Sequence, residues 1–385
     1  MPEIPLTLQS RARGCLLGGA IGDALGAPVE FMTWEAIQRQ FGPEGIVDYA
    51  PAYGRPRGGA ITDDTQMTLF TAEGLLRAFL RERQRGFCAV TSVVCHAYLR
   101  WLLTQQSGAA AQTSNDRQQQ LQIGKDGWLW GVQELHSRRA PGTTCLTSLE
   151  AMERFTEQRA ANNSKGAGGI MRVAPVALVV GNGRRDGEEA EATHVFDLAK
   201  SVSWITHGHP SGYLSAAAFA VILHELLWGR SLEAGIHRAK TLLNREKQEE
   251  SAETLDAMNR AIGFAAEGRP ATEAIPQIGG AWVGEEALGV ALYCALTSRS
   301  DFATAVRMAV NHDGDSDTTG SLVGQLMGAA LGEDSLPAHW LRDLELRDTI
   351  TQIADDLAGF RSWNLNPYRS SSESTSRIID RYPGW

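Results

Sequence analysis

Two acidic clusters, far apart in the chain, hold the residue types best suited to chemistry: Thr62-Asp63-Asp64-Thr65 and Asp313-Gly314-Asp315-Ser316-Asp317-Thr318-Thr319. Carboxylates at this density repel one another unless a cation lies between them, because like charges a few ångström apart disfavour joint ionisation. Hard oxygen ligands of this kind suit Mg²⁺ or Mn²⁺, and a fold that joined the clusters would offer enough of them for two ions. The chemistry this points to is metal-assisted hydrolysis.

Each cluster also has a plainer reading. Gly58-Gly59 permits a tight turn before the first, and Thr62 or Asp63 is a good helix cap with acidic residues in the first turn. For the second, an EF-hand loop beginning at Asp313 would need glycine where Thr318 stands and glutamate where Gly324 stands, so it fails twice. The DxDxT phosphatase pattern is matched by Asp315, Asp317 and Thr319. That pattern normally follows a strand and opens a long α/β domain, whereas the remainder of this chain is short and helical in pattern. A solvated aspartate-rich turn is the remaining alternative.

Other segments bear on the same chemistry. Lys165-Gly166-Ala167-Gly168-Gly169 precedes the apolar run Ile170-Met171-Arg172-Val173. Its glycines let backbone N–H groups approach an anion, and a helix start after them would favour phosphate, although a tight connection needs glycines too. In GCLLGGAIGDALGAPVEF (14–31) the closely spaced small residues predict close helix packing, but Asp23 and Glu30 are charges in an apolar stretch and need partners. His207 and His209 are a base or metal pair by type. With no Glu or Cys nearby in sequence, a structural or ligand-stacking role fits them better.

The elements that must position these residues are helical. Leu69, Ala72, Leu76 and Phe79 mark one face of a helix starting near the first cluster; Val94, Tyr98, Trp101 and Leu102 mark a second, and Val195, Leu198, Val202 and Ile205 a third. Further helical runs are Tyr213–Trp228, Glu285–Leu296, Phe302–Val310 and Ser321–Leu331. Val176–Val180 reads as a helix end, and Asn244–Thr254 as a solvated helix face. No alternating strand pattern occurs. Polar stretches at Gln105–Lys125, Gly181–Thr193 and Ser370–Ser376 read as surface loops. The expectation is an all-α fold, one compact orthogonal helical domain over 1–385, with a motif-bearing core at about 14–331 and a C-terminal helical segment and tail at 332–385.

Composition narrows the function. The chain has 385 residues, 43% hydrophobic and 21% charged, the balance of a soluble globular protein. A formal net charge of −9 argues against nucleic acid as a general partner. Five scattered cysteines without a CxxC pair suit a reducing compartment and give no zinc site or disulfide framework. The N-terminus lacks the apolar segment of a signal peptide, and Cys15–Val29 is too short and too interrupted to span a membrane. A cytoplasmic location, without membrane contact, is expected.

Taken together, GDALGAPVEF, ITDDTQMTLF, PGTTCLTSL, GGIMRVAPVAL, ITHGHPSGY and NHDGDSDTTGSLVG occur in the order seen in the ADP-ribosylglycohydrolase family, which the chain resembles from about Gly14 to Leu331. The resemblance implies an all-α fold and two Mg²⁺ or Mn²⁺ ions serving hydrolysis of ADP-ribose from a modified protein. ADP-ribose is then the product, and a cognate ADP-ribosyltransferase a potential partner. VEFMT (29–33) is most similar to the bacterial branch acting on ADP-ribosyl-arginine, which includes the dinitrogenase reductase-activating enzymes. By position it implies Thr62, Asp63, Asp64, Asp315, Asp317 and Thr318 as metal ligands, with Glu30, Asp63 and Asp315 in catalytic roles. Gly166, Gly168, Gly169, Ile170 and Met171 match the loop holding the diphosphate, and His207 a residue near the adenosine–ribose part. One departure stands out: arginine-directed relatives carry an Asp where this chain has Thr143, so its base must be another carboxylate, Glu30 or a metal-ligand Asp. A non-catalytic ADP-ribose-binding or toxin-blocking immunity protein on the same fold is the alternative, with Gln105–Lys125 as its partner surface.

Overall fold

The computed structural model describes residues 6–106, 124–152, 159–181, 187–365 and 373–384. Among them are seventeen α-helices and no strand beyond the isolated bridges Ala52–Arg55 and Gly166–Val283. The N-terminal third contributes α1 (Leu8–Gly26), α2 (Trp34–Phe41), α3 (Asp63–Arg85), α4 (Val90–Thr104) and α5 (Thr143–Ala151). The middle contributes α6 (Val176–Val179), α7 (Glu188–Trp204), α8 (Pro210–Leu227), α9 (Leu232–Leu243), α10 (Gln248–Ala266) and α11 (Ala271–Ile278). The rest are α12 (Gly284–Thr297), α13 (Phe302–Val310), α14 (Ser316–Leu331), α15 (Ala338–Asp343), α16 (Arg347–Gly359) and α17 (Glu373–Arg381).

Local chemistry sets many of these boundaries. Thr7, Thr33, Thr62, Ser231 and Asp301 each accept a hydrogen bond from a first-turn N–H, at α1, α2, α3, α9 and α13. Such caps satisfy donors that have no partner inside the helix. α3 adds Asp63 and Asp64 at its positive end, Arg83 and Arg85 at its negative end, and stops at Gly86 in the left-handed region.

The centre of the fold is the contact between α1 and α14. Gly14, Gly18 and Gly22 lie one turn apart on α1 and face Gly328, Gly324 and Gly320 in turn, so the helices run antiparallel; Gly26 follows opposite Ser316. A methyl group on Gly22 would lie 1.8 Å from the Gly320 carbonyl oxygen, and one on Gly14 2.2 Å from that of Gly328. No side chain fits between the two backbones. The glycine spacing that predicts close helix packing is therefore realised, with α14 as the partner. α8 is apolar on all sides and 94% buried, the mark of a core helix, although its length and composition would let it cross a membrane.

Several sequence expectations need correcting. α14 starts at Ser316, not Ser321, which puts Asp317, Thr318 and Thr319 on its first turn. Residues 188–193, read as loop, form the start of α7, and residues 373–376 belong to α17. The remaining parts of those loops, 182–186 and 370–372, lie outside the described residues, as does 107–123 of the Gln-rich stretch. Asn244–Thr254 is not one face: Asn244 ends α9, α10 begins at Gln248, and Ser251 and Thr254 are buried. Asp315 stands just before α14 in an all-helical surrounding, and the described residues hold no preceding strand of the kind a DxDxT phosphatase site requires.

Candidate metal centre and active site

The α1–α14 contact brings the end of α1, and the turn after it carrying Glu30, to the start of α14. Asp23, fully buried on α1, draws in α3: both its carboxylate oxygens accept from the Thr62 N–H at 3.0 Å, and Oδ2 also accepts from the Thr65 N–H at 3.1 Å and from the Thr65 hydroxyl. The charge noted in the sequence as lacking a partner thus joins α1 to the start of α3. A second brace comes from far along the chain. Glu345 accepts from the Ile61 N–H at 3.1 Å and pairs in the interior with Arg139, whose guanidinium donates to the Ile61 carbonyl at 3.0 Å. The Arg139 carbonyl in turn accepts the Asp63 N–H at 3.2 Å.

Between these supports the acidic groups converge. Carboxylate oxygens of Glu30, Asp315 and Asp317 lie within 4.8 Å of one another. Asp64 joins from α3, where its Oδ2 is 3.5 Å from the Thr318 hydroxyl, and Asp63 accepts from the Gly142 N–H at 3.1 Å. Thr62 serves as cap, accepting from the Asp64 N–H at 3.3 Å, as the plainer reading of the first cluster expects. Thr318 donates its N–H to Asp317 at 2.9 Å, and Asp315 is held by its own N–H on the Gly280 carbonyl at 2.9 Å.

The electrostatics are unfavourable without a counter-charge. Burial first, then the charges of Asp317, Asp315 and Asp63, push the Glu30 carboxyl up to about 10. Burial and Asp317 raise Asp23 to about 7, and burial raises Asp315 to about 6. Asp63, Asp64 and Asp317 are shifted upward by burial and by their acidic neighbours. Two buried oxygens, Glu30 Oε2 and Asp64 Oδ1, have no hydrogen-bond partner. Orphaned carboxylate oxygens in a cluster of like charges are the donor set that a hard divalent cation needs, so these residues fit such an ion.

The glycine loop lies beside this cluster. Ala167–Gly169 forms a single 3-10 turn, the Ala167 N–H donates to the Trp282 carbonyl at 3.1 Å, and the Gly284 N–H to the Lys165 carbonyl at 2.8 Å. No long helix follows; α6 is four residues. Ile170 and Met171 point into the core, and both donate their N–H groups to the Ala167 carbonyl. Their side chains therefore support the loop from beneath. His207 is buried under it, with Nε2 3.4 Å from the position a Gly166 Cβ would take, and Nδ1 2.8 Å from the Thr206 hydroxyl. Burial and the Arg172 guanidinium hold its pKa down to about 3, which favours the neutral imidazole and makes it a weak proton acceptor. His209 instead caps α8, accepting from the Ser211 N–H.

The sequence reading left Asp23 without a role and missed Arg139, Glu345, Gly142 and Gly280. Only Asp23 carried a visible signal, a charge inside an apolar helix. The exposed aromatics Phe31, Tyr53 and Trp282 also went unremarked.

Comparisons with known proteins identify the family and the fold. The family model for ADP-ribosylglycohydrolase matches residues 5–366. The ADP-ribosyl-[dinitrogen reductase] glycohydrolase of Rhodospirillum rubrum is 26% identical, over 89% of this chain and 92% of that protein. The ADP-ribosylarginine hydrolase Tri1 of Serratia proteamaculans is 24% identical, over 90% and 78%. A solved structure described as an ADP-ribosylglycohydrolase-related protein complex superposes with a TM-score of 0.59 at 26% identity, covering 91% of this chain and 98% of that one. With the matched model spanning nearly its whole length and the same all-α fold, this chain is a member of the ADP-ribosylglycohydrolase family.

Proposed function

We propose that the protein hydrolyses the glycosidic bond at C1 of the distal ribose in ADP-ribosylated protein, at an arginine side chain, with two Mg²⁺ or Mn²⁺ ions. The observation that carries this is the convergence of Glu30, Asp315 and Asp317, with orphaned oxygens on Glu30 and Asp64, in a member of this family. The arginine linkage draws on relatives whose names specify it. Asp63, Asp64, Asp315 and Asp317 would hold the cations, with Thr62 and Thr318 completing the shell. Bound there, the ions supply Lewis acidity toward sugar hydroxyls and water and cancel the charge that keeps the carboxyl groups protonated.

Glu30 is suited to take the proton of the attacking water, because its Oε2 is buried and receives no hydrogen bond from the protein. The water oxygen bonds to C1 as the C1–N bond breaks, and the leaving guanidine nitrogen takes up a proton. The buried carboxylates favour the positive charge that builds on the ribose. Gly166, Gly168 and Gly169 offer a side-chain-free wall for the diphosphate, set by His207 beneath. Thr143 begins α5 next to Gly142, which bonds Asp63, so it lies at the site without being able to act as base.

The deciding experiment measures ADP-ribose release from an arginine-ADP-ribosylated protein with Mg²⁺, with Mn²⁺ and with EDTA, beside Asp315→Ala. Metal-dependent release that the substitution abolishes is expected. A folded, metal-loaded protein that releases nothing from arginine, serine or small ADP-ribosyl substrates would overturn the reading.

A further inference from the structure

Three aromatic rings stand exposed around the carboxylates, and the backbone that presents them is unusual. Of the five non-glycine residues with left-handed φ among those described, three are here: Phe31 at 66°, Tyr53 at 46° and Ala281 at 63°. Such conformations are uncommon for residues with a Cβ and persist where the surroundings fix them. Phe31 directly follows Glu30; its φ belongs to the turn that leaves Glu30 among the acidic groups and Phe31 71% exposed. Ala281 is fully buried, tied by its N–H to Glu286 at 3.1 Å, and it sets Trp282, 44% exposed, against Phe31. The two rings stack at 5.2 Å between centroids and 19° between planes.

Both rings are joined directly to the site. Phe31 is one peptide bond from the proposed base. Trp282 sits between Gly280, whose carbonyl fixes Asp315, and Ala167 of the glycine loop, which donates to the Trp282 carbonyl. In the function proposed above the diphosphate lies along that loop and Glu30 at the reacting ribose, which puts a ring one peptide bond from Glu30 beside the leaving group. An exposed aromatic face ringed by carboxylates attracts a planar cation, and a guanidinium stacks on it better than an aliphatic side chain does.

Resting on the function proposed above, we infer that the Phe31–Trp282 stack is the leaving-group platform: it receives the guanidinium face of ADP-ribosyl-arginine and favours that linkage over one lacking a planar group. Phe31 and Trp282 are positioning residues and take no part in proton transfer.

The test compares wild-type protein with Phe31→Ala and Trp282→Leu, on an ADP-ribosyl-arginine peptide and an ADP-ribosyl-serine peptide, and measures binding of each and of free ADP-ribose. Both side chains are exposed, so neither substitution empties a core position. Expected is a loss of about tenfold in kcat/KM on the arginine peptide, seen mainly in KM. The serine peptide and free ADP-ribose, which lack the guanidinium, should change less than about twofold on the same basis. Equal losses for free ADP-ribose would make the stack a surface for the nucleotide and overturn the inference, as would unchanged arginine kinetics. Cleavage of the serine peptide alone would overturn it while leaving the hydrolase reading intact. If neither peptide nor a small ADP-ribosyl substrate is cleaved, the hydrolase reading falls, and binding decides about the platform. Arginine peptide held more tightly than ADP-ribose, with the increment lost in Phe31→Ala, supports it; equal affinities in the wild-type protein overturn it.

Discussion

At the scale of single residues, the carboxylates are held where their ionised forms are disfavoured, and that has a consequence for stability. A group whose pKa is raised on folding binds more protons in the folded state, so its contribution is present at low pH and is lost as pH rises through the folded value. In the metal-free protein this loss begins near the ordinary carboxyl range of about 4 and continues through Asp315 at about 6 and Asp23 at about 7 toward Glu30 at about 10. A cation that binds the ionised cluster reverses the loss. The increase in melting temperature on adding Mg²⁺ to chelated protein should therefore be small at pH 5 and several degrees larger at pH 8. In Asp317→Asn the increase should nearly vanish at both, while the chelated variant melts no lower than chelated wild type at pH 8. A Mg²⁺ effect independent of pH and retained in the variant would place the ion elsewhere.

At the scale of elements, the site depends on how closely α1 and α14 approach, since one leads into Glu30 and carries Asp23 while the other carries Asp317 and Thr318 on its first turn. Gly22→Ala must push the helices apart, because its methyl group would meet backbone rather than a yielding side chain. Overpacking of this kind costs about 1–3 kcal/mol or more. The variant should melt lower and also lose Mg²⁺ affinity at temperatures where it remains folded. Gly263→Ala on α10 is the control: nothing lies within 4 Å of the added methyl, so helix propensity alone predicts a gain of up to about 1 kcal/mol, read by denaturant unfolding. Much of this was legible in the sequence, since glycines one turn apart in an apolar run mean close packing, and Thr62-Asp63-Asp64 is a recognisable helix start. The early start of α14 was not, because Ser316-Asp317-Thr318-Thr319-Gly320 are poor helix formers that are held helical by packing on α1. The start of α7 was misread for a different reason: weight was placed on the polarity of 188–193, when glutamates at a helix N-terminus are stabilising. The pairing of Arg139 with Glu345 leaves no local periodic trace.

At the scale of the whole molecule, the sequence reading put the motifs at about 14–331 and a C-terminal helical segment and tail at 332–385 of one domain, and this motif-free segment helps build the fold. Glu345 braces the approach to α3, α16 packs on α1 and α3, and Trp340, Ile353, Leu357 and Tyr382 are fully buried in the same apolar cluster as α1 and α14. The end of the chain closes over the far end of α3. The Tyr382 ring stacks on Trp363 at 5.9 Å and its hydroxyl donates to Asp356 at 2.6 Å, while the Pro383 carbonyl accepts from the buried Arg77 guanidinium at 2.8 Å. Removing residues 381–385 would empty a core position, a loss of about 3–5 kcal/mol for a large aromatic, and would take one carbonyl acceptor from Arg77, which keeps its ion pair with Asp126 at 2.9 Å. Arg77 lies thirteen residues along α3 from Asp64, about 20 Å at the rise of a helix. The truncated protein should thus unfold at markedly lower denaturant concentration, but Mg²⁺ should bind its folded form with wild-type affinity when titrated well below the transition. Loss of Mg²⁺ binding under those conditions would mean that α3 transmits the disturbance along its length, and that the C-terminal segment sets the metal centre as well as the stability.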